Sequence, residues 1–476
     1  MRFRELQGFP ELFADFAEGI PAARELFRCV PNAENLRSQA LSAQEKNVSR
    51  SHLCELLEIQ ALEFGCPAPV LANIDKLGSD GTVVVVATLH AELLGGSLAS
   101  WLSIVTAARL AAWLNEQKIP AVPLCWLDST TLPFNVRTVL LSRDGPVRIE
   151  LDGASFLGGQ IPPSMVSLLT DTARILEINP AESELLQTLQ TAYTPGTEIS
   201  IAWGRAIASL FGSFGIVLFR SSVAEDMRES ISSGLDEGMD SCLTQCEKSV
   251  HAAGYMMPKG YHGGTQVARC AIGLLQGALL PVAAHVISED DSYDFVCSQA
   301  VCHPSPSRPA LAWPRVSATL LDARSRKIMS RYGLALPELF GGPEAVAHRM
   351  MQELATGENL DRIDRLQADL HGQLAELQSL IPKDDRIKVR IERARRRMLY
   401  QIEKAKGRLS EFRARRQQSL ARQLARLCST IAPLGSRQEK ETAAFQLMLR
   451  YSPSLPQTLY EKVNPFLFEH QLISME

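Results

Sequence analysis

VVVVATLHAELLGGSLASWLSIVTAARLAAWLNEQKIPAVPLCWLDSTTLPF, running from Val83 to Phe134, decides the fold. Val83 to Ala87 is a β-branched run too short to span a membrane. Thr88 to Ser97 is a polar, glycine-containing loop. Apolar residues at helical spacing follow from Leu98 to Leu114, and Ala121 to Leu127 is a second apolar strand. Strand, loop, helix and strand within about 45 residues make a βαβ unit. Such units build parallel sheets, whose ligands sit where strand ends meet helix starts. Chemistry is therefore expected near Thr88 to Ser97 and Asp128 to Asn135.

Around this unit the 476 residues leave room for two or three domains, and a hydrophobic content of 46% supports a sizeable core. A net charge of −4 gives no global pull toward nucleic acid or membrane. No apolar run is long enough to cross a bilayer, and MRFRELQGFPELFADF carries acids where a signal peptide would be apolar. The ten cysteines include no CxxC pair. They read as reduced thiols used as small apolar residues, and no metal site is expected. Residues 1–80 read as amphipathic helices belonging to the core, and 81–356 as the α/β core itself. Short strands are expected at Arg137 to Leu141 and Val147 to Leu151, with further strands at Gly215 to Phe219, Leu279 to Val286 and Leu311 to Leu321.

From 357 to 431 the texture changes. Leu360, Ile363, Leu366, Leu370, Leu374, Leu377 and Leu380 repeat at coiled-coil spacing, and Pro382 breaks the run. A second periodic stretch runs from Ile387 to Leu427. The pattern predicts an antiparallel helical hairpin whose second arm, about 65 Å long, projects from the core. Residues 432–476 return to it. Between Lys383 and Arg426 the arm carries 16 Lys or Arg against 5 acids. An RNA-binding arm would want stacking aromatics, and Tyr400 and Phe412 are few, so a solvated coiled-coil face is the favoured reading.

The order of these pieces resembles the bacillithiol biosynthesis cysteine-adding enzymes, the BshC cysteine ligases. VVVVATLHAELLGGSLASWL is similar to that family's strand–GQQxGLxTGPL–helix segment, and AVPLCWLDS to its PVFWxAS strand end. FGIVLFRSS, HAAGY and LLPVAAHVISEDDSYDF each resemble a family segment. WPRVSATLLDARSRKIMSRYGLALPELFGG resembles PRASFTLVEPRVARLLEKYGLSLEDLF, and TLYEKVNPFLF resembles the QERVLNPFYF ending. The resemblance implies a Rossmann-like ligase core with a coiled-coil arm through which subunits pair as a homodimer. It implies a cytoplasmic enzyme that joins cysteine to glucosaminyl-malate through an amide bond, with ATP or ADP as the nucleotide. The polar motifs depart from the family: Gly-Gln-Gln is Thr88-Leu89-His90, and the Glu-Asp-His-Asp run is Thr130-Thr131-Leu132-Pro133. A non-catalytic paralogue serving as a binding or scaffold subunit is therefore the alternative.

Gly95, Gly96 and Ser97 open a helix, where free amides and the helix dipole hold anions; the competing reading is a tight turn with Ser97 as cap. His90 is a candidate general base if its pKa lies near 7, or else a loop histidine. Asp128 ends the second strand, as a binding or catalytic carboxylate or a turn former. Ser129 and Asn135, just beyond it, are further substrate-binding candidates. Arg315, inside an apolar strand, pairs with a carboxylate or binds an anionic ligand. Glu289, Asp290 and Asp291 read as a solvated loop. Together these imply anion binding at Gly95 and Gly96 with weak or absent proton transfer.

Overall fold

The structure is a computed structural model that describes residues 1–27, 29–45, 50–90, 92–128, 137–143, 145–150, 159–179, 183–220, 239–257, 279–302, 311–342, 346, 358–379 and 385–475. The chain divides into two compact units: residues 1–327 with 436–476, and residues 328–435.

In the first unit the strands are β1 (Val83–His90), β2 (Ala121–Asp128), β3 (Arg137–Ser142), β4 (Gly145–Glu150), β5 (Val217–Arg220), β6 (Val282–Ile287), β7 (Ala312–Pro314), β8 (Ala318–Asp322) and β9 (Gln471–Met475). Five of them form one parallel sheet in the order β5-β2-β1-β6-β7. β3 and β4 form a hairpin, and β8 pairs in parallel with β9.

Strand side chains alternate between faces, and both faces of this sheet are covered. Val83, Val85 and Ala87 of β1 enter one apolar cluster with Leu102, Val105 and Leu114 of the helix Leu98–Glu116. Val84 and Val86 enter a second cluster with Leu53, Leu57, Ile74 and Leu77 of the helices Arg50–Phe64 and Ala68–Gly78. Burial on both sides is why β1 and β2 read as continuous apolar runs. The N-terminal helices lie where the amphipathic pattern put them. Phe13, Phe16 and Phe27 pack with Tyr255 and Phe295 in a third cluster.

Two readings need correction. Leu311 to Leu321 is two strands: the Arg315 amide still donates to Ile287 of β6, the Val316 amide turns to Thr106 Oγ1, and from Ser317 onward the backbone pairs with β9. The cysteines are also not all free thiols: Cys246 and Cys297, with Cα atoms 5.3 Å apart, form a disulfide inside the third cluster.

The second unit contains the expected hairpin, in the helices Glu358–Ser379 and Asp385–Ile431. The latter has 47 residues, about 70 Å at 1.5 Å per residue. Gln367 Nε2 donates to Glu403 Oε1 at 2.8 Å, as antiparallel arms require. The unit starts earlier than the leucine repeat suggests, with Leu334, Leu336 and Leu339 already buried.

Candidate functional site

The parallel ladder places the last residues of β1 and β2, His90 and Asp128, directly side by side. The loop after β6 brings Asp291 to the other side of the ring. His90 Nδ1 lies 3.2 Å from Asp128 Oδ2, and Nε2 lies 3.1 Å from Asp291 Oδ1. Asp128 is fully enclosed, whereas the His90 and Asp291 side chains are 32% and 18% exposed. Ser288 Oγ donates to Asp291 Oδ2 and accepts from the Asp291 amide, which fixes the carboxylate. The structure thus brings together the two residues expected to carry proton chemistry. It adds a third from the acidic run read as a solvated loop.

Burial disfavours a charged imidazole, but the hydrogen bonds and charges of Asp128 and Asp291 outweigh it and push the His90 pKa up to about 10. His90 is therefore a cation at neutral pH, so the condition set for a general base, a pKa near 7, is not met, and the residue ends β1 and does not lie in a loop. Because the folded-state pKa is raised, the cluster's contribution to stability is complete below about pH 6.5 and is lost as pH climbs toward 10. In an NMR titration the His90 ring protons should not shift between about pH 6 and 8. A midpoint near 7 would show that the two carboxylates do not hold the ring.

The loop before the helix Leu98–Glu116 is closed by its own acid. Glu92 accepts from the Ser97 amide at 2.7 Å, from Ser97 Oγ at 3.0 Å and from Ser100 Oγ at 2.8 Å. Ser97 Oγ in turn caps the Ser100 amide, so the N-cap reading of Ser97 holds. The Gly95 amide donates to Tyr193 Oη and the Gly96 amide to the Leu93 carbonyl. The amides expected to hold an anion are therefore engaged within the protein, and Glu92 supplies the negative charge that the helix end favours. Gly96 has a φ of 92°, and a Cβ there would lie 2.2 Å from Trp203. The two glycines shape a turn against the core.

Arg315 resolves to the carboxylate-pairing alternative. It donates to Glu289 Oε2 through Nε (2.9 Å) and Nη2 (2.6 Å), and to Glu439 Oε1 at 3.1 Å. Arg437 joins the same two carboxylates and stacks on Phe9. Glu439 also accepts from Ser317 Oγ and the Ala318 amide. Burial penalises both acids, but Arg315 and Arg437 hold Glu289 well below the usual carboxylate range, and Glu439 below it. Burial, aided by Arg437, pushes His470 down to about 4 in spite of Glu439, so its ring bonds neutrally between Ser317 and Thr319. This ion cluster is the floor beneath the strand ends.

Above the floor lies a cavity of about 180 Å³ lined by His90, Ser97, Ser100, Ser103, Asp291 and Lys440, among others. Lys440 is engaged by Asp290 and Glu289. Ser129 and Asn135 lie outside the described residues, as does the Lys259 to Gly264 stretch. Among the described lining residues the acids number five (Glu92, Glu289, Asp290, Asp291, Glu441) against the three cations His90, Arg315 and Lys440. Every one of those cations already faces a carboxylate, so the described lining does not fit the phosphates of ATP or ADP. The sequence hid Asp291, Lys440 and Glu439 because short charged runs usually face solvent; a strand end in a parallel sheet was the available signal for Asp291.

The comparisons agree along the chain. Residues 1–275 match the family model "Bacillithiol biosynthesis BshC, N-terminal Rossmann-like domain", and residues 318–475 match "Bacillithiol biosynthesis BshC, C-terminal coiled-coil domain". Relatives named "Putative cysteine ligase BshC" include one from Solibacter usitatus, 22% identical over 99% of both chains. Another from Koribacter versatilis is 23% identical over 94% of both. A third, from Salinibacter ruber, is 21% identical over 99% of this chain and 97% of its own. With the two domain models matching 1–275 and 318–475, this chain belongs to the BshC family of bacillithiol biosynthesis.

Proposed function

We propose that this chain is a cytoplasmic cysteine ligase that joins cysteine to glucosaminyl-malate through an amide bond. The observation that carries the reading is the Asp128–His90–Asp291 cluster at the C-terminal ends of parallel strands. Acid and histidine groups replaced between Thr130 and Pro133 have counterparts there, drawn from different strands. Purified protein incubated with cysteine, glucosaminyl-malate and ATP should yield the condensed thiol by mass spectrometry. No product at saturating substrates would favour the second reading, a non-catalytic binding or scaffold subunit. Glu92 supports that alternative, since its carboxylate sits on the helix end where an anionic substrate would otherwise bind.

The same reading includes a homodimer through the arm. Val389, Met398 and Tyr400 are 58%, 46% and 63% exposed on the long helix, and coiled-coil pairing would cover such apolar side chains. Light scattering at micromolar concentration should give twice the mass of 52.4 kDa. A monomer would reject pairing.

A further inference from the structure

We propose that Asp291 is the group that receives the attacking amine, with His90 as the positioning residue that holds its carboxylate. The proposal rests on the ligase reading and names the residue that meets one substrate. Both ring nitrogens of His90 face carboxylates, Asp128 on one side and Asp291 on the other. The ring therefore has no nitrogen turned to a substrate. Asp128 is enclosed, with no exposed side-chain surface. Asp291 is partly exposed and lines the cavity, oriented by Ser288 and by the ring. The cavity reaches Asp291, and a carboxylate can accept about four hydrogen bonds, so an amine can join the groups that orient it. Among the described lining residues acids outnumber cations, which favours a protonated amine.

The step balances as follows. The bound ammonium gives one proton to Asp291 Oδ, which frees the nitrogen lone pair. That pair forms the C–N bond to the carbonyl carbon of an activated acyl donor that carries an oxygen leaving group. The bond from carbon to the leaving group breaks with its electron pair, and the second N–H proton departs on that group. His90 stays protonated throughout and keeps Asp291 in place.

Calorimetry on the full-length protein tests the contact independently of turnover. Cysteine is compared with N-acetylcysteine, and glucosaminyl-malate with its N-acetyl form, in the parent protein and in Asp291→Asn. For one of the two pairs the parent should prefer the free amine by about tenfold or more, as expected for a charged hydrogen bond, and Asp291→Asn should erase that preference. Loss of a positioned proton acceptor should also lower kcat by about 10²–10⁴-fold, with partial rescue in Asp291→Glu. His90→Gln should lower kcat while leaving the KM of the amine substrate within about threefold. Should Asp291→Asn fail to fold, Ser288→Ala, which removes one orienting bond, should weaken the preference. An amine preference that is absent in the parent, or unchanged in Asp291→Asn, overturns the proposal. So does turnover unaffected by Asp291→Asn, and in that case the ligase reading stands. An erased preference in a protein that never turns over retires the ligase reading and keeps the amine site.

Discussion

Glu439→Gln should unfold with a free energy about 3–5 kcal/mol smaller than the parent, the usual cost of removing one partner from a buried ion cluster. Glu439 is fully enclosed and answers Arg315, Arg437, Ser317 and the Ala318 amide at once. Without its charge, two buried guanidinium groups share Glu289. Lys440→Ala should cost under about 1 kcal/mol, because Lys440 is 30% exposed and solvent already screens its pairs. Urea melts of both variants decide the matter, and equal losses would show that the floor is no more stabilising than the rim. The acids' depressed pKa values fix the sign of the pH dependence. Their contribution is present above the ordinary carboxylate range near 4.3 and is lost as pH falls through their lower folded values.

Gly96→Ala should cost about 2–5 kcal/mol, the sum of a left-handed backbone strain and an overpacked core. Gly65 supplies the contrast: its φ is also positive, at 70°, but nothing lies within 4 Å of a Cβ there. Gly65→Ala should therefore show the backbone cost alone, about 1–2 kcal/mol. Similar losses at both sites would mean that Trp203 yields to the added methyl. A disturbed Trp203 would also carry the change to Ser97 and Glu92 at the cavity, so Gly96→Ala should lose activity more steeply than stability.

The strands and helices from Val83 to Asp128 were legible because each is long, apolar and periodic. The pairing of His90 with Asp128 was not legible, because the strand was read as ending at Ala87; it continues to His90, which sets the two residues side by side. The arm was legible from its leucines. The floor was not: Arg315 meets Glu439 across more than a hundred residues, and Arg437-Gln438-Glu439-Lys440-Glu441 has the composition of a solvent-facing turn. Local pattern carries no information about a partner so distant. The role of Glu92 was hidden as well: five residues of chain are enough for it to fold back and accept from the Ser97 amide. The break between β7 and β8 was hidden by the apolar residues on both sides of Arg315. The joining of Cys246 to Cys297 was hidden because spacing along the chain does not reveal packing.

The pairing of β8 with β9 also sets an order of events during synthesis. Leu320 aligns with Ile473, and the whole of residues 328–435 is made between them. At about 5–20 residues per second, the roughly 150 residues from Leu320 to Ile473 take on the order of 8–30 s to emerge from the ribosome. For most of that interval Arg315 and Glu289 lack Arg437 and Glu439, and one edge of β8 has no neighbour until its end. The nascent first unit thus waits, unsealed, until the segment that carries β9 has been made. A stalled ribosome within the arm would expose a charged, open-edged intermediate of the kind that chaperones and proteases recognise.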